Sequence, residues 1–536
     1  MRFSLLSQGW QLKLVGSVAI VGTFFIAVGE SVLAQILPDN TLGAEGSVVT
    51  PNVNIQGIQS DRIDGGATRG ANLFHSFSDF NVGEGRGAYF ANPVGIENIL
   101  TRVTGGNPSN ILGRLGVLGG ANLFLLNPNG IVFGPNASLD LQGSFFATTA
   151  DAVQLGDTGL FSASEPATSN LLTVNPSAFL FNAIAAQPII NQSIAASVIG
   201  QPNSIGGSPG LQVPAGQTLG LIGGDVRLEG GRLTAAGGRI ELGSVAGVGQ
   251  VSLNQTGNRF VLGYDSIGGF RNISLSNRAF VDASGEGGGD VQIRGARLEM
   301  TQGSFIFADT LGAQTGGEVV VRTTEEVVLS EGSFLTADVF GSGTGGNLTI
   351  DTSRLLVRDG TQVAVGTFSE GKGGRLQITA SDSVEVIGTS ANGQAPSRLS
   401  TESFGSGDAG NLTIDTGRLL VRDGALVSAS PRGEGKGGNL QITASDSVEV
   451  IGTSANGQVP SGLSAQSDGS GDAGNLTIDT GRLLVRDGAQ VSASTTGEGK
   501  GGNLQITASD SVEVIGTSAN GQVPSGLSAQ SDGSGD

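Results

Sequence analysis

Of 536 residues, 91 are glycine, more than twice the ~7% of an average protein, while tryptophan, tyrosine and cysteine together contribute three. Collagen would need glycine at about one residue in three, and helical arrays are disfavoured because an interior glycine costs ~1 kcal/mol relative to alanine. With 38% hydrophobic and 14% charged residues the chain is not disordered, and a net charge of −19 leaves no broad basic face, so nucleic acid is not an expected partner.

Arg2 and Lys13 precede an apolar run from Leu14 to Val28, and Ser31-Val32-Leu33-Ala34 closes the segment before Gln35. This pattern is a secretory signal peptide over residues 1–34, cleaved between Ala34 and Gln35. The run, at about 15 residues, falls short of the ~20 that span a bilayer; an N-terminal anchor is the alternative. Exported chains of this size usually carry disulfides. A crosslink formed between two membranes would trap a chain that must cross the second one unfolded, and the absence of cysteine suits such a chain.

Residues 35–285 lack a clean period, although Gly224-Asp225-Val226-Arg227-Leu228 and Gly238-Arg239-Ile240-Glu241-Leu242 echo the later repeats. Their informative stretches are His75 to Val82, Ala88-Tyr89-Phe90-Ala91-Asn92-Pro93, Ile99 to Ser109, and Ala121 to Gly134. The last holds Asn127-Pro128-Asn129-Gly130-Ile131, a turn between two apolar strands in which proline fixes φ and asparagine and glycine tolerate the bend.

On these residues the stretch from about Gly43 to Asp151 resembles the two-partner secretion domain, or haemagglutination activity domain, of filamentous haemagglutinin-like exoproteins. Asn127 to Ile131 matches the family's N-P-N-G-I signature in full; its other asparagine-proline motif maps loosely, onto Asn92-Pro93-Val94-Gly95-Ile96. The resemblance implies a β-helical domain that caps a long β-helical shaft. It also implies recognition by the periplasmic domains of a dedicated outer-membrane β-barrel transporter. For Asn127, Pro128, Asn129, Gly130 and Ile131, and for Asn92 and Pro93, two roles stand open: a turn that lets the cap fold, or a contact with the transporter.

From residue 286 the chain repeats. Gly346-Asn347-Leu348-Thr349-Ile350 recurs at Gly410 and Gly474, a period of 64 that splits into 28 and 36 through Gly374, Gly438 and Gly502. Weaker copies begin at Gly317 and Gly289. In the coil from Gly410, glycines divide three strand-like runs: Asn411 to Thr416, Arg418 to Asp423 and Ala425 to Ser430. Three runs per coil with glycine corners indicate an all-β fold, a right-handed parallel β-helix (solenoid); an antiparallel sandwich array is the alternative. Internal copies sort inside from outside: Leu412, Ile414, Ala425 and Val427 recur as apolar residues, whereas Leu426 is replaced by Gln490 and Gln362 and so faces solvent. Val448 and Val450 point inward about Glu449. Eight coil starts at ~4.8 Å each make a shaft of roughly 40 Å. The longer coils carry an extra turn, Thr453 to Pro460, expected to bulge from one face. The last two copies differ at three positions, and the sequence stops at Asp536 without a cap, so a longer natural protein is expected.

No residue pattern signals catalysis, a cofactor or a metal site. His75 is the only histidine, no G-x-S-x-G turn accompanies it, and it reads as a partly buried structural residue. Glycine runs such as Gly285 to Gly289 lack the ending of a phosphate loop. Asp415/Arg418 and Arg422/Asp423 recur at Asp479/Arg482 and Arg486/Asp487, which suits a solvated outer face better than an active site built once. Calcium at Asp408 and Asp472 is weakly indicated, because the nine-residue calcium repeat is absent. The expected protein is a secreted, non-enzymatic exoprotein of a two-partner (type Vb) system, extracellular or at the surface of a double-membraned bacterium. It acts as an adhesin toward a host cell, a neighbouring cell or a surface polysaccharide. A β-helical polysaccharide lyase or hydrolase and an autotransporter passenger are the alternatives; the second would need a C-terminal membrane barrel.

Overall fold

The computed structural model describes residues 35–182, 186–200 and 209–531; the expected signal peptide, with Ala34 at its cleavage point, lies outside them. No α-helix occurs among the described residues. Long strands stack in parallel, coil on coil: Asn347–Arg358, Leu376–Ile387, Leu412–Arg422, Leu440–Ile451, Leu476–Arg486 and Leu504–Ile515 pair in succession. Eleven short strands, from Leu211–Gln212 to Gly526–Ser528, form a separate sheet along another face. The fold is a parallel β-helix.

The glycine spacing suggests three strands per coil; the structure shows two. Leu412–Arg422 passes through Gly417 as one bent strand, because Ser381 and Asp382 of the preceding coil oppose that glycine alone and the ladder resumes beyond the bulge. A Cβ on Gly417 would lie 2.6 Å from the Asp382 carbonyl oxygen, so a side chain here requires the preceding coil to shift. The chain does break at Asp423 and Gly424, whose φ angles of +60° and +86° reverse its direction.

Inward positions are those the internal copies require: Leu412, Ile414, Ala425, Val427, Val448 and Val450 are wholly buried. These aliphatics belong to one core that runs without interruption from Ile36 to Ala493. A second buried cluster lies outside the shaft. It is roofed by the antiparallel strands Ala152–Leu155, Gly159–Ser162, Pro176–Phe181, Gly249–Thr256 and Arg259–Gly263. Phe260 of this roof meets Phe146 edge to face at 5.2 Å. At the N-terminal end, Ile36–Pro38 pairs antiparallel with Asn72–Phe80, and the hairpin Ser47–Ile55/Ile58–Gly65 covers the neighbouring edge. Antiparallel cover of this kind stops further strands from adding to the open end.

The loops between coils are the tightest part of the molecule. Gly346, Gly374, Gly410, Gly438, Gly474 and Gly502 form a column in which a Cβ on each would fall far inside contact distance of the preceding member's carbonyl. Beside it, the Asn411 side chain accepts the Asn439 N–H at 2.9 Å and Asn439 accepts that of Asn475 at 3.1 Å, a ladder of side-chain bonds parallel to the backbone one. The extra turns of the 36-residue coils are small hairpins closed by Thr389/Pro396, Thr453/Pro460 and Thr517/Pro524 bridges. Arg422 pairs with Asp423 and Arg486 with Asp487 on the exposed surface.

Two buried carboxylates sit one coil apart. Burial pushes the Asp338 carboxyl up, and the neighbouring Asp309 adds to it; burial likewise raises Asp309. A raised folded-state value means that stability is complete at low pH and lost as pH climbs through that value. Replacing Asp338 by Asn keeps an acceptor for the Gly366 N–H, which Asp338 receives at 2.6 Å. Asp338→Asn is therefore expected to stabilise the protein by more than ~1.4 kcal/mol at pH 9, with the gain vanishing near pH 4, read from urea unfolding at both. Gly438→Ala meets the Gly410 carbonyl, whereas Gly452, at φ +75°, has open space around it. The first substitution is expected to cost about 2–3 kcal/mol by overpacking and Gly452→Ala about 1 kcal/mol by backbone strain. Equal costs would contradict the close-approach explanation.

Candidate functional site

Asn127 ends the strand Asn122–Leu126 and Ile131 opens Ile131–Phe133, so the motif is the corner between two faces of one coil. Within the turn, the Gly130 N–H donates to the Asn127 carbonyl at 3.1 Å and the Asn129 N–H donates to Asn127 Oδ1 at 2.9 Å. Gly130 has φ +110°, open to few other residues. The remaining bonds leave the turn. Asn127, wholly buried, donates through Nδ2 to the Asn107 carbonyl at 3.1 Å and to Ser109 Oγ at 2.9 Å; its N–H reaches the Thr148 carbonyl at 3.0 Å. Asn129 Nδ2 donates to the Gly105 carbonyl at 2.7 Å, and the Ile131 N–H to Pro188 at 3.3 Å. The motif thus ties its coil to the one before and the one after. Pro128 and Asn129 alone are partly exposed.

Asn92 works at another corner. Its Oδ1 accepts the Ala121 N–H of the next coil at 2.9 Å, and its Nδ2 donates to the Pro93 and Ile96 carbonyls at 3.2 and 3.1 Å. Pro93, Val94 and Gly95 project into solvent, with Val94 fully exposed. The two asparagine-proline motifs do not share a patch. One loop precedes the face formed by Asn98–Val103 and Asn122–Leu126, and the other follows it.

The pattern of the sequence gives no hint of a polar network that pins the first residues after Gln35. Arg102 is wholly buried and donates to Ser76 Oγ at 2.9 Å, the Ser162 carbonyl at 2.6 Å, Ser169 Oγ at 2.6 Å and Thr41 Oγ1 at 2.7 Å. Its guanidinium lies 4.5 Å from the Phe161 ring centre. Burial pushes the Arg102 guanidinium down to about 10, with Asp39 opposing. At Asp39 burial works upward, yet bonds from Thr104, Thr41 and Ser76 hold the carboxyl below its usual range. Ser76 and Arg102 share the outer side of their strands with Phe74 and Leu100, under the roof rather than in the shaft core, where a polar residue is unremarkable in the sequence.

His75, read as partly buried, is wholly buried: Nδ1 lies 3.0 Å from Ser47 Oγ, and the ring packs against Phe77 and Phe90. Burial pushes its imidazole down to about 3, so it stays neutral at physiological pH. Asp408 and Asp472 accept the backbone N–H of Lys436 and Lys500 at 3.0 and 3.1 Å, which makes them caps of inter-coil loops. Among the described residues no three histidine, cysteine or carboxylate side chains gather in metal-binding geometry.

Residues 34–293 match the TPS secretion domain family. A heme/hemopexin-binding protein of Haemophilus influenzae is 35% identical over 80 residues, 15% of this chain and 8% of that protein, so the chain spans a small part of that relative's length. Among solved structures, the HMW1 secretion domain from Haemophilus influenzae aligns with 86% of this chain and 99% of its own at 18% identity and a TM-score of 0.45. The filamentous hemagglutinin secretion domain aligns with 76% of this chain and 99% of its own, at 14% identity and a TM-score of 0.28. With both asparagine-proline corners and the N-terminal cap inside the matched region, the chain carries a TPS secretion domain over residues 34–293.

Proposed function

We propose that the exposed Asn92–Gly95 loop contributes to transporter recognition, that Asn127–Ile131 serves secretion by locking the cap's fold, and that the repeat shaft acts outside the cell as an adhesin. Burial supports the division of labour: Asn127, Gly130 and Ile131 have no surface to offer a partner, whereas Pro93, Val94 and Gly95 have little else. Coil-by-coil stacking supports the export mechanism. Each coil gains its stability from its neighbours, so a chain emerging N-terminus first folds onto the finished cap and cannot readily slide back.

One observation carries the adhesin reading: hairpins at 64-residue intervals stand out on an uninterrupted core. A Cβ on Gly457 would lie 3.0 Å from Asn520 Nδ2, so successive hairpins adjoin. The buried carboxylate pair Asp309 and Asp338 is occupied by backbone and hydroxyl donors, which supports a structural role for it. Release of new reducing ends from polysaccharide by the purified mature chain would overturn the adhesin reading.

Val94→Asp and Asn127→Ala separate the two motif roles. Val94→Asp is expected to leave thermal unfolding unchanged and to weaken binding of the mature chain to the transporter's periplasmic domains at least tenfold. Asn127→Ala strands buried partners and is expected to cost about 2 kcal/mol of stability. At a temperature where it remains folded, it should bind the transporter normally. Unimpaired binding by Val94→Asp, or lost binding by folded Asn127→Ala, would reverse the assignment.

A further inference from the structure

The short-strand face of the shaft is a trough. In the strands Phe334–Thr336, Gln362–Ala364, Arg398–Ser400, Leu426–Ser428 and Gly462–Ser464 the central residue points into the core, and Leu335, Val363, Leu399, Val427 and Leu463 are at most 1% exposed. Their neighbours point outward, yet Thr336, Ser400 and Ser428 are only 4–5% exposed, because side chains rise along both rims. One rim begins with Phe280, Phe305 and Phe334; the first two rings meet tilted at 5.8 Å and the last two stack at 5.6 Å. Along the other, Phe340, Phe368 and Phe404 stack at 4.9 Å with nearly parallel rings and remain 43–47% exposed. The coil bridges Thr367/Ser403/Pro431 put Arg432 on the rung after Phe404.

There the floor opens into a cavity of about 250 Å³ lined by Glu402, Arg432, Asp468 and the hydroxyls of Ser428, Ser430 and Ser464. Glu402 is 2% exposed. Its Oε2 accepts from Arg398 at 2.8 Å and Arg432 at 3.3 Å, while its Oε1, fully buried, has no partner. Arg398 Nε beside it is likewise buried without an acceptor. Glu402 lines the cavity, and its unmade buried acceptor is costly; a hydroxyl donated from a ligand in the cavity satisfies it. Two arginines face Glu402 and Asp468, the latter 3.6 Å from Arg432, so the site offers no net attraction to polyanions.

We propose that this trough binds a linear neutral polysaccharide laid along the shaft. Its apolar sugar faces rest against the Phe340–Phe368–Phe404 rim, and its hydroxyls bond the serine floor and Glu402. The proposal rests on the adhesin reading for its biological use alone, and its test is independent of cell attachment. The mature chain, from Gln35 to Asp536, is titrated calorimetrically with cellohexaose, mannohexaose and maltohexaose, and with hexagalacturonate as the anionic probe. At least one neutral hexasaccharide is expected to bind. Phe368→Ala and Glu402→Gln should each weaken it tenfold or more, and hexagalacturonate should not compete. Arg432→Thr, which installs the residue that Thr496 supplies in the next repeat and removes one of the two cations on Glu402, should also weaken binding. Failure of every neutral hexasaccharide to bind, affinity unchanged in all three variants with unfolding temperatures preserved, or stronger binding of hexagalacturonate overturns the trough. Retained saccharide binding with no contribution to cell attachment would instead count against the adhesin reading.

Discussion

The close approach of backbone to backbone between successive loops is the constraint on which the rest of the molecule depends. Strands one coil apart are held ~4.8 Å from each other by their hydrogen bonds, and the loops that join them must keep the same spacing without a regular ladder along their whole length. In the column from Gly346 to Gly502 there is no room for a Cβ. Because these loops stack in register, every element they connect stacks too: the aliphatic core, the asparagine ladder, the hairpins and the phenylalanine rim. An excess of glycine that would weaken a helix or an isolated strand is here the condition for packing.

That geometry also links the two halves of the function. A solenoid has no stable isolated coil, and its terminal coils need a cap over the exposed end of the core. The first coils supply one, with antiparallel strands across the open edge and the Asp39–Thr41–Ser76–Arg102 network fastening the segment that follows the expected cleavage point. Asn127 extends the same logic one level up, bonding the coils on either side of its own. A cap built from long-range polar contacts forms only when several coils are present together.

Much of the shaft was legible because its own copies serve as comparisons: Leu426 against Gln490 and Gln362 reveals an outward position without any other sequence. Registers of 28 and 36 residues were equally plain. What escaped were features that depend on curvature or on contacts distant in sequence. Gly417 carries the signal of a break, but whether a corner interrupts a strand or only bulges depends on how many residues the neighbouring coil places opposite it. The sequence tells that Ser400 and Ser428 face outward; it does not tell that the rims make that face concave. The roof over Phe124 and Phe146 was hidden because residues 152–181 and 249–263 have no internal copy. Asn127 looked like a turn residue, and its burial and its bonds to Asn107 and Ser109 became visible only with the coils in place.

Lys372, Lys436 and Lys500 are the only lysines beyond residue 34 and occupy one line along the shaft, with Asp408 and Asp472 on the rungs between them. Because the chain has no cysteine, spin labels at Lys372→Cys and Lys500→Cys can be placed without background. They are 128 residues apart in sequence and four coil heights apart in space, about 19 Å at ~4.8 Å per height. Pulsed electron paramagnetic resonance on the doubly labelled, purified protein is expected to give one narrow distance distribution near ~20 Å. A broad distribution, or one centred beyond ~30 Å, would contradict the stacked-coil account.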